Sequence, residues 1–236
     1  MKIGVIVAMD KEFVQLKTIL DDCKAETING KDYFIGNLLH HRLILQKCGI
    51  GKVNAAIGTV EMINSFHPDL IVSSGVAGGA AIDMNPLDVV MGTEYRYHDV
   101  YCGSEVEYGQ FVGLPPSFDG RPDGKEMIIG DGFMEHLRTQ SITLHKGLIV
   151  SGDWFVDDKN KMQGILDKFP EAKAVDMESC SIAQTCYLYH TPFISFRIIS
   201  DVPLRDTKAS QYFDFWERMA EGSFNVTKEF LLNIKG

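Results

Sequence analysis

Residues 70–79 read LIVSSGVAGG. The stretch is a buried strand that runs into a loop of small residues, and the fold follows from what flanks it. Upstream, residues 2–8 form an apolar, β-like run. Asp10 then offers a helix N-cap, and Phe13, Leu16 and Leu20 recur at helical spacing. Residues 32–39 and 42–48 read as two strands separated by His40 and His41. Gly49 and Gly51 break the second, and a helix follows with Val53, Ile57, Val60 and Ile63 along one face. Downstream, strands are expected at Val89 to Tyr97, Leu144 to Ser151, Lys173 to Asp176 and Phe193 to Ser200. Helices are expected at Asp157 to Phe169, Met177 to Tyr189 and Phe213 to Ile234. Strands alternating with helices give a mostly parallel sheet covered on both faces. The pair 32–39 and 42–48 is expected to be antiparallel, so the sheet is mixed. There is no internal repeat, low-complexity tract or linker, and residues 1–236 read as one α/β domain. Tyr101 to Gly124 is the most loop-like stretch. It ends in GLPPSFDGRPDG and is long enough to be functional or to lie at an interface.

Composition narrows the function. The 236 residues are 45% hydrophobic and 23% charged, which suits a globular protein with a large core. Lys plus Arg total 23 against 32 Asp plus Glu, a formal net charge of −9. An acidic surface repels phosphate backbones and anionic headgroups, so neither nucleic acid nor a membrane surface is the expected partner. The five cysteines, Cys23, Cys48, Cys102, Cys180 and Cys186, are scattered and form no C-x-x-C pair. They read as inert thiols in a reducing compartment rather than a disulfide or zinc framework. The opening run MKIGVIVAMDKE is too short for a signal peptide, and no apolar stretch approaches a membrane span, so a cytoplasmic protein is expected.

Several motifs fail. CGIGKVN (48–54) begins like a dinucleotide loop but carries Asn54 at the third glycine position. Turn geometry, or close approach of the backbone to a ligand, explains it better. There is no phosphate-binding P-loop and no G-x-S-x-G elbow. His40 and His41, adjacent in an extended stretch, are expected to face opposite ways and not to share a metal.

Three segments place charge where apolar residues are expected. FRIISD (196–201) sets Arg197 within a run fit for a buried strand and Asp201 at its end. A buried guanidinium requires a carboxylate partner. AVDMES (174–179) puts Asp176 and Glu178 at a strand-to-helix junction, and AMDKE (8–12) puts Glu12 in the first turn after the first strand. Carboxyl ends of strands are where α/β sheets bind ligands, so these junctions are placed to converge on one cleft. Each also has a plainer reading: carboxylates suit helix first turns, Asp201 suits a cap, and Arg197 suits a structural ion pair.

The segments AMDKE, SGVAGG, RYHDV, LIVSGDWFV, VDMES and FRIISD, in this order and spacing, resemble the 5′-methylthioadenosine/S-adenosylhomocysteine nucleosidases, members of the nucleoside phosphorylase-like family. The resemblance runs from residue 2 to the terminal helix. It implies a three-layer α/β/α fold with a twisted mixed sheet, a homodimer, and no metal or organic cofactor. It also implies hydrolysis of the N-glycosidic bond with release of adenine. Asp201 would protonate purine N7, oriented by Ser200, with its pKa raised by burial among Ile198, Ile199 and Val202. Glu12 would draw a proton from the attacking water, and Arg197 would hold that water and Glu12 in place. Glu178 would bind the ribose hydroxyls, with Met177 against the sugar beside Val76, Ala77 and Gly78. Phe155 would stack on adenine and the Val156 backbone would meet its edge. Met9, Ile50 and Phe213 would form an apolar wall for the 5′ thioether.

The phosphorylase branch of the same fold holds phosphate with arginines after strand one and near the Gly-rich loop. Here those places read MDKEF and SSGVAGG, without arginine, and Glu12 would repel phosphate. A purine nucleoside phosphorylase, a nucleosidase for another 5′-modified adenosine, and a non-catalytic nucleotide sensor are the alternatives. Three departures stand out: Val76 where Ser is frequent, Asp176 where Glu is usual, and a segment 101–115 one residue short, with Cys102 and Ser104 at usually more apolar places. In the family that segment reaches the neighbouring subunit's site.

Overall fold

The central strand β5 (Leu70–Gly79) has three strand partners, and this arrangement creates the site. The computed structural model describes residues 1–121, 128–205 and 210–235. On one edge, β5 pairs in parallel with β1 (Lys2–Val7), from Ile3 opposite Leu70 to Ile6 opposite Ser73. Further along the same edge, β9 (Ala172–Asp176) joins antiparallel, with Val175 opposite Gly78. Between Ser73 and Gly78 that edge carries no strand. The other edge is filled by β10 (Phe193–Asp201), parallel from Ile71 to Gly78.

β1 continues the sheet to β4 (His41–Lys47), β3 (Lys31–Leu38) and β2 (Asp21–Ile28); β4–β3 and β3–β2 are antiparallel. β10 pairs antiparallel with β6 (Val89–Tyr97), which pairs in parallel with β8 (Leu144–Ser151), which pairs in parallel with β9. Strands β5, β9, β8, β6 and β10 therefore close into a ring, and the nine-stranded mixed sheet curls at that end.

Helices cover both faces. On one side α2 (Lys52–Phe66) and α5 (Ser179–Leu188) bury Ala55, Met62, Cys180 and Ile182. On the other, α1 (Asp10–Lys17), α3 (Asp131–Thr139), α6 (Ser210–Arg218) and α7 (Ala220–Leu232) bury Phe13, Phe133, Phe215 and Phe230. α4 (Lys159–Leu166) packs Met162 and Ile165 over the ring. This is the mixed α/β architecture expected from the alternation of strands and helices.

Some local expectations are corrected. The N-cap of α1 is Met9, not Asp10, because Glu12 reaches back to accept the Met9 N–H at 3.2 Å. In α2 the buried face is Ala55, Gly58, Thr59, Met62 and Ile63, whereas Val53 and Ile57 are 69% and 47% exposed. Small residues face the sheet here because Gly58 lies against Cys48, where a Cβ would approach to 2.8 Å. His40 sits in a turn rather than an extended stretch, and its ring lies 4.0 Å from that of His41. The expected helix Phe213 to Ile234 is two helices, broken at Met219. The sequence reading assigned no element to β2, β7 (Ile128–Ile129) or α3, and it placed Ile234 of β11 (Ile234–Lys235) in the terminal helix. Residues 122–124 of the long loop lie outside the described residues.

The packing on the α7 side centres on three phenylalanines. Phe196 of β10 stacks on Phe230 at 4.1 Å, and Phe133 of α3 meets both edge-on at 5.8 and 5.7 Å. All three are fully buried. Phe230→Ala should therefore lower the unfolding free energy by about 3–5 kcal/mol, read by urea denaturation. A loss below about 1 kcal/mol would show that α7 repacks freely.

Candidate active site

The strandless edge of β5 opens into a cleft whose lining combines apolar side chains with convergent carboxylates, as small-ligand sites do. Its walls come from the carboxyl ends of β1, β5, β9 and β10 and from the segment following β8. The β5 backbone between its two strand partners is free to serve the site. The Val76 N–H bonds to Glu12 on this edge, while on the β10 side the Ala77 carbonyl lies 3.3 Å from Ser200 Oγ.

Arg197 forms the floor. It is 2% exposed and lies in a strand buried throughout. Its partner is Asp176, whose Oδ2 lies 2.8 Å from Arg197 Nε. Arg197 Nη2 also donates to Ser73 Oγ at 2.7 Å, and Ser179 Oγ accepts from Nε and Nη2 at 3.2 and 3.1 Å. Asp176 in turn accepts from Ser151 Oγ at 2.5 Å and from the hydroxyl and N–H of Ser179. Sequence reasoning required a carboxylate for Arg197 and assigned it to Glu12. The hydrogen-bonded ion pair is instead with Asp176, across from β9. Glu12 nevertheless lies within the field of Arg197, which favours its charged form. Gly75 is where the two meet. A Cβ there would lie 2.5 Å from Arg197 Nη1 and 2.9 Å from Glu12 Oε1, so only glycine admits both groups.

Burial raises the Glu12 pKa to about 7, opposed by Arg197 and by the N–H groups of Met9, Val76 and Ala8. Glu178 is the N-cap of α5, and its Oε1 accepts the Gly51 N–H at 3.0 Å. Burial, reinforced by the nearby charge of Asp176, holds its carboxyl above the usual carboxylate range. Asp201 is buried at the end of β10, where Ser200 Oγ donates to its Oδ1 at 2.6 Å.

The structure brings Asp201, Glu12, Arg197, Ser200, Glu178, Met177, Phe155, Val156, Val76, Ala77, Gly78, Met9 and Ile50 to this one cleft. Phe213 is the exception. It is 61% exposed and lines a neighbouring depression, and Tyr212 occupies the wall in its place. Tyr212 packs edge-on against Phe155 at 5.2 Å, and its hydroxyl lies 3.8 Å from Met9 Sδ. The start of α6 sets which aromatic points inward, and a one-residue difference exchanges them. Trp154 and Val175 also line the cleft unforeseen, although both lie inside quoted motifs. Among the described residues no group of three or more His, Cys, Asp or Glu is placed to hold a metal ion.

Comparison with known proteins places this geometry in context. A family model described as Phosphorylase superfamily matches residues 2–232. A 5′-methylthioadenosine/S-adenosylhomocysteine nucleosidase of Bacillus thuringiensis subsp. konkukian is 36% identical over 236 residues, covering 100% of both chains. The S-adenosylhomocysteine nucleosidase of Streptococcus pyogenes, solved in complex with 5-methylthiotubericidin, superposes with a TM-score of 0.86 at 31% identity. That match covers 98% of this chain and 96% of the other. The Neisseria meningitidis 5′-methylthioadenosine/S-adenosylhomocysteine nucleosidase, in complex with methylthio-immucillin-A, also gives 0.86, at 34% identity over 98% of each chain.

The raised pKa of Glu12 has a measurable sign. A carboxyl whose folded pKa stands near 7 against an ordinary 4.5 binds its proton more tightly folded than unfolded. Its contribution to stability is full below about pH 4.5 and is lost as pH rises through about 7. Glu12→Gln carries no such penalty. Its melting temperature relative to wild type should therefore move upward as pH rises from about 5 to about 8. A pH-independent difference would show that burial does not disfavour the Glu12 charge.

Proposed function

Because the chain belongs to the 5′-methylthioadenosine/S-adenosylhomocysteine nucleosidases of the phosphorylase superfamily, we propose that it hydrolyses the N-glycosidic bond of these two adenosine thioethers and releases adenine. The leaving purine needs a proton at N7, and the sugar, which becomes oxocarbenium-like, needs negative charge and a water. Asp201 gives the proton, with Ser200 fixing its carboxyl. The C1′–N9 bond electrons go to the base. Water adds its oxygen to C1′ and loses a proton to Glu12. A base with a pKa near 7 is part-ionised at neutral pH and strong enough to accept that proton. Glu178 takes the ribose hydroxyls and Met177 lies against the sugar, with Val76, Ala77 and Gly78 alongside. Phe155 stacks on adenine and the Val156 backbone meets its edge. Met9, Ile50 and Tyr212 receive the thioether, and Phe213 stands at the outer rim. Arg197 acts at one remove, fixing Asp176 and supporting the charge on Glu12.

The observation that carries hydrolysis over phosphorolysis is the charge balance of the cleft. Among the described residues lining it, Arg197 is the one cation, and it is committed to Asp176 while Glu12, Glu178 and Asp201 face the same space. A phosphate dianion entering there meets carboxylates without a free positive partner, whereas water meets no such barrier.

The protein is read as one domain spanning 1–236 that works in the cytoplasm, with a small nucleoside as ligand rather than nucleic acid or a membrane. Among the described residues no helix is long and apolar enough to cross a bilayer. It acts as a homodimer in which residues 101–115 reach the neighbouring site. Exposed Tyr101 and Val112, at 69% and 71%, with Val53 and Ile57 of α2, supply the apolar surface such a contact needs.

Adenine release from 5′-methylthioadenosine, followed with and without phosphate, tests the reaction. Equal rates and a free 5-methylthioribose product are expected, and a phosphate requirement with 5-methylthioribose 1-phosphate would reverse the assignment. Asp201→Asn and Glu12→Gln should each reduce kcat by at least about 100-fold with the fold intact by circular dichroism. A near-normal rate in either removes that residue from its role. Sedimentation should give a dimer, and a fully active monomer would exclude a shared site.

A further inference from the structure

The geometry points to Lys52 as a positioning residue for the nucleoside site: with Asp99 and Asp153 it closes a three-segment latch that holds Gly51 against Glu178 and fixes the segment bearing Phe155. The inference rests on the nucleosidase reading above. None of the three latch residues lines the cleft, so each acts through others.

The latch begins with a helix lacking a cap of its own. The N-cap of α2 is Gly51, at φ 94°, with no side chain to satisfy the first donors. The carboxylate comes from outside, since Asp153 Oδ1 accepts the Lys52 N–H at 2.9 Å. A Cβ at position 51 would stand 3.1 Å from that oxygen, so the glycine gives Asp153 its approach. The Lys52 side chain turns back to Asp99, with Nζ at 2.9 and 2.8 Å from its two oxygens and 3.6 Å from Asp153 Oδ2. Asp99 Oδ2 also accepts the Asp153 N–H at 2.9 Å, closing the ring. The end of β6, the exit of β8 and the start of α2 are thereby tied together by one ammonium.

Two arms run from the latch into the cleft. Gly51, adjacent to Lys52, donates its N–H to Glu178 Oε1 at 3.0 Å. Asp153 is followed directly by Trp154, Phe155 and Val156, all of which line the cleft. The ion pair is shielded, with side-chain exposures of 23% for Lys52 and 9% for Asp99. Without the ammonium, Asp99 and Asp153 face each other as like charges across the segment that must stay closed.

The test compares wild type, Lys52→Met and Lys52→Arg on 5′-methylthioadenosine and on its 2′,3′-dideoxy analogue, with thermal melts alongside. Lys52→Met should raise KM for methylthioadenosine roughly tenfold, with a smaller change in kcat, and Lys52→Arg should recover most of it. The penalty should shrink on the dideoxy analogue, which gives Glu178 nothing to hold. A KM within about twofold of wild type, with only a lower melting temperature or active fraction, would overturn the proposal. So would equal penalties on both substrates. If Lys52→Met does not fold, Asp153→Asn, which keeps an acceptor and drops the charge, should show the same pattern at smaller size, and an unchanged KM there overturns it equally. Wild-type turnover tests the nucleosidase reading separately. Should it be absent, calorimetric binding of methylthioadenosine to the same variants decides the latch.

Discussion

A guanidinium cannot stay inside a strand buried on both faces unless its charge is matched, and the rest of the site is arranged around that demand. Arg197 meets it through Asp176, with Ser73 and Ser179 taking the remaining donors. These groups come from β5, β9, β10 and the start of α5, so one ion pair ties together the elements that border the cleft. Asp176 is itself held by Ser151 at the end of β8. Replacing either charge alone leaves the other buried without compensation, a loss of about 3–5 kcal/mol in comparable pairs. The pair therefore belongs to the folding of the site before it belongs to its chemistry. Glu12 is free to change its protonation state because Arg197 does not depend on it.

The second constraint is the vacant edge of β5. A strand edge without a partner leaves backbone groups to be satisfied. Here the Val76 N–H, which faces that edge, is taken by Glu12. The departure of β1 after Ser73 and the arrival of β9 at Gly78 thus create a cavity and supply it with oriented polar backbone. This is the general reason that carboxyl ends of strands gather ligands where the strand order changes.

Much of this was legible in the sequence because burial and charge conflict openly there. FRIISD, VDMES and AMDKE place ionisable residues where apolar ones are expected, and all three reach the cleft. All eight expected strands, Val89 to Tyr97 and Leu144 to Ser151 among them, stand at or near their expected bounds because buried strands read as apolar runs. What escaped was set by tertiary context. β2 is largely exposed and carries no apolar signal, so pairing with β3 alone defines it. In α2 the apolar stripe through Val53 and Ile57 faces outward, while alanine, glycine and threonine allow close approach to the sheet. Phe213 and Tyr212 are indistinguishable by composition, and the rotation of a short amphipathic helix decides between them. The partner of Arg197 was misassigned to Glu12 for a related reason. Three carboxylates stood within reach in the sequence, and only strand register selects Asp176.

The cleft gathers carboxylates of the same chemistry in unlike surroundings, and that inequality is what permits acid and base roles side by side. Asp176 spends its charge on Arg197. Glu178, the N-cap of α5, is anchored by the Gly51 N–H at the start of α2. Glu12 is pulled between burial, which favours the proton, and Arg197 with three N–H groups, which favour the charge, and this leaves its pKa at about 7. Asp201 lines the same cleft with a hydroxyl donating to its carboxyl. Were all these groups ionised at once, their mutual repulsion would act against closure of the cleft. Burial opposes that by favouring the protonated forms of Glu12 and Glu178. The same surroundings that make these carboxylates tolerable to the fold thus hold Glu12 and Glu178 above the usual carboxylate range while Asp176 stays paired with Arg197.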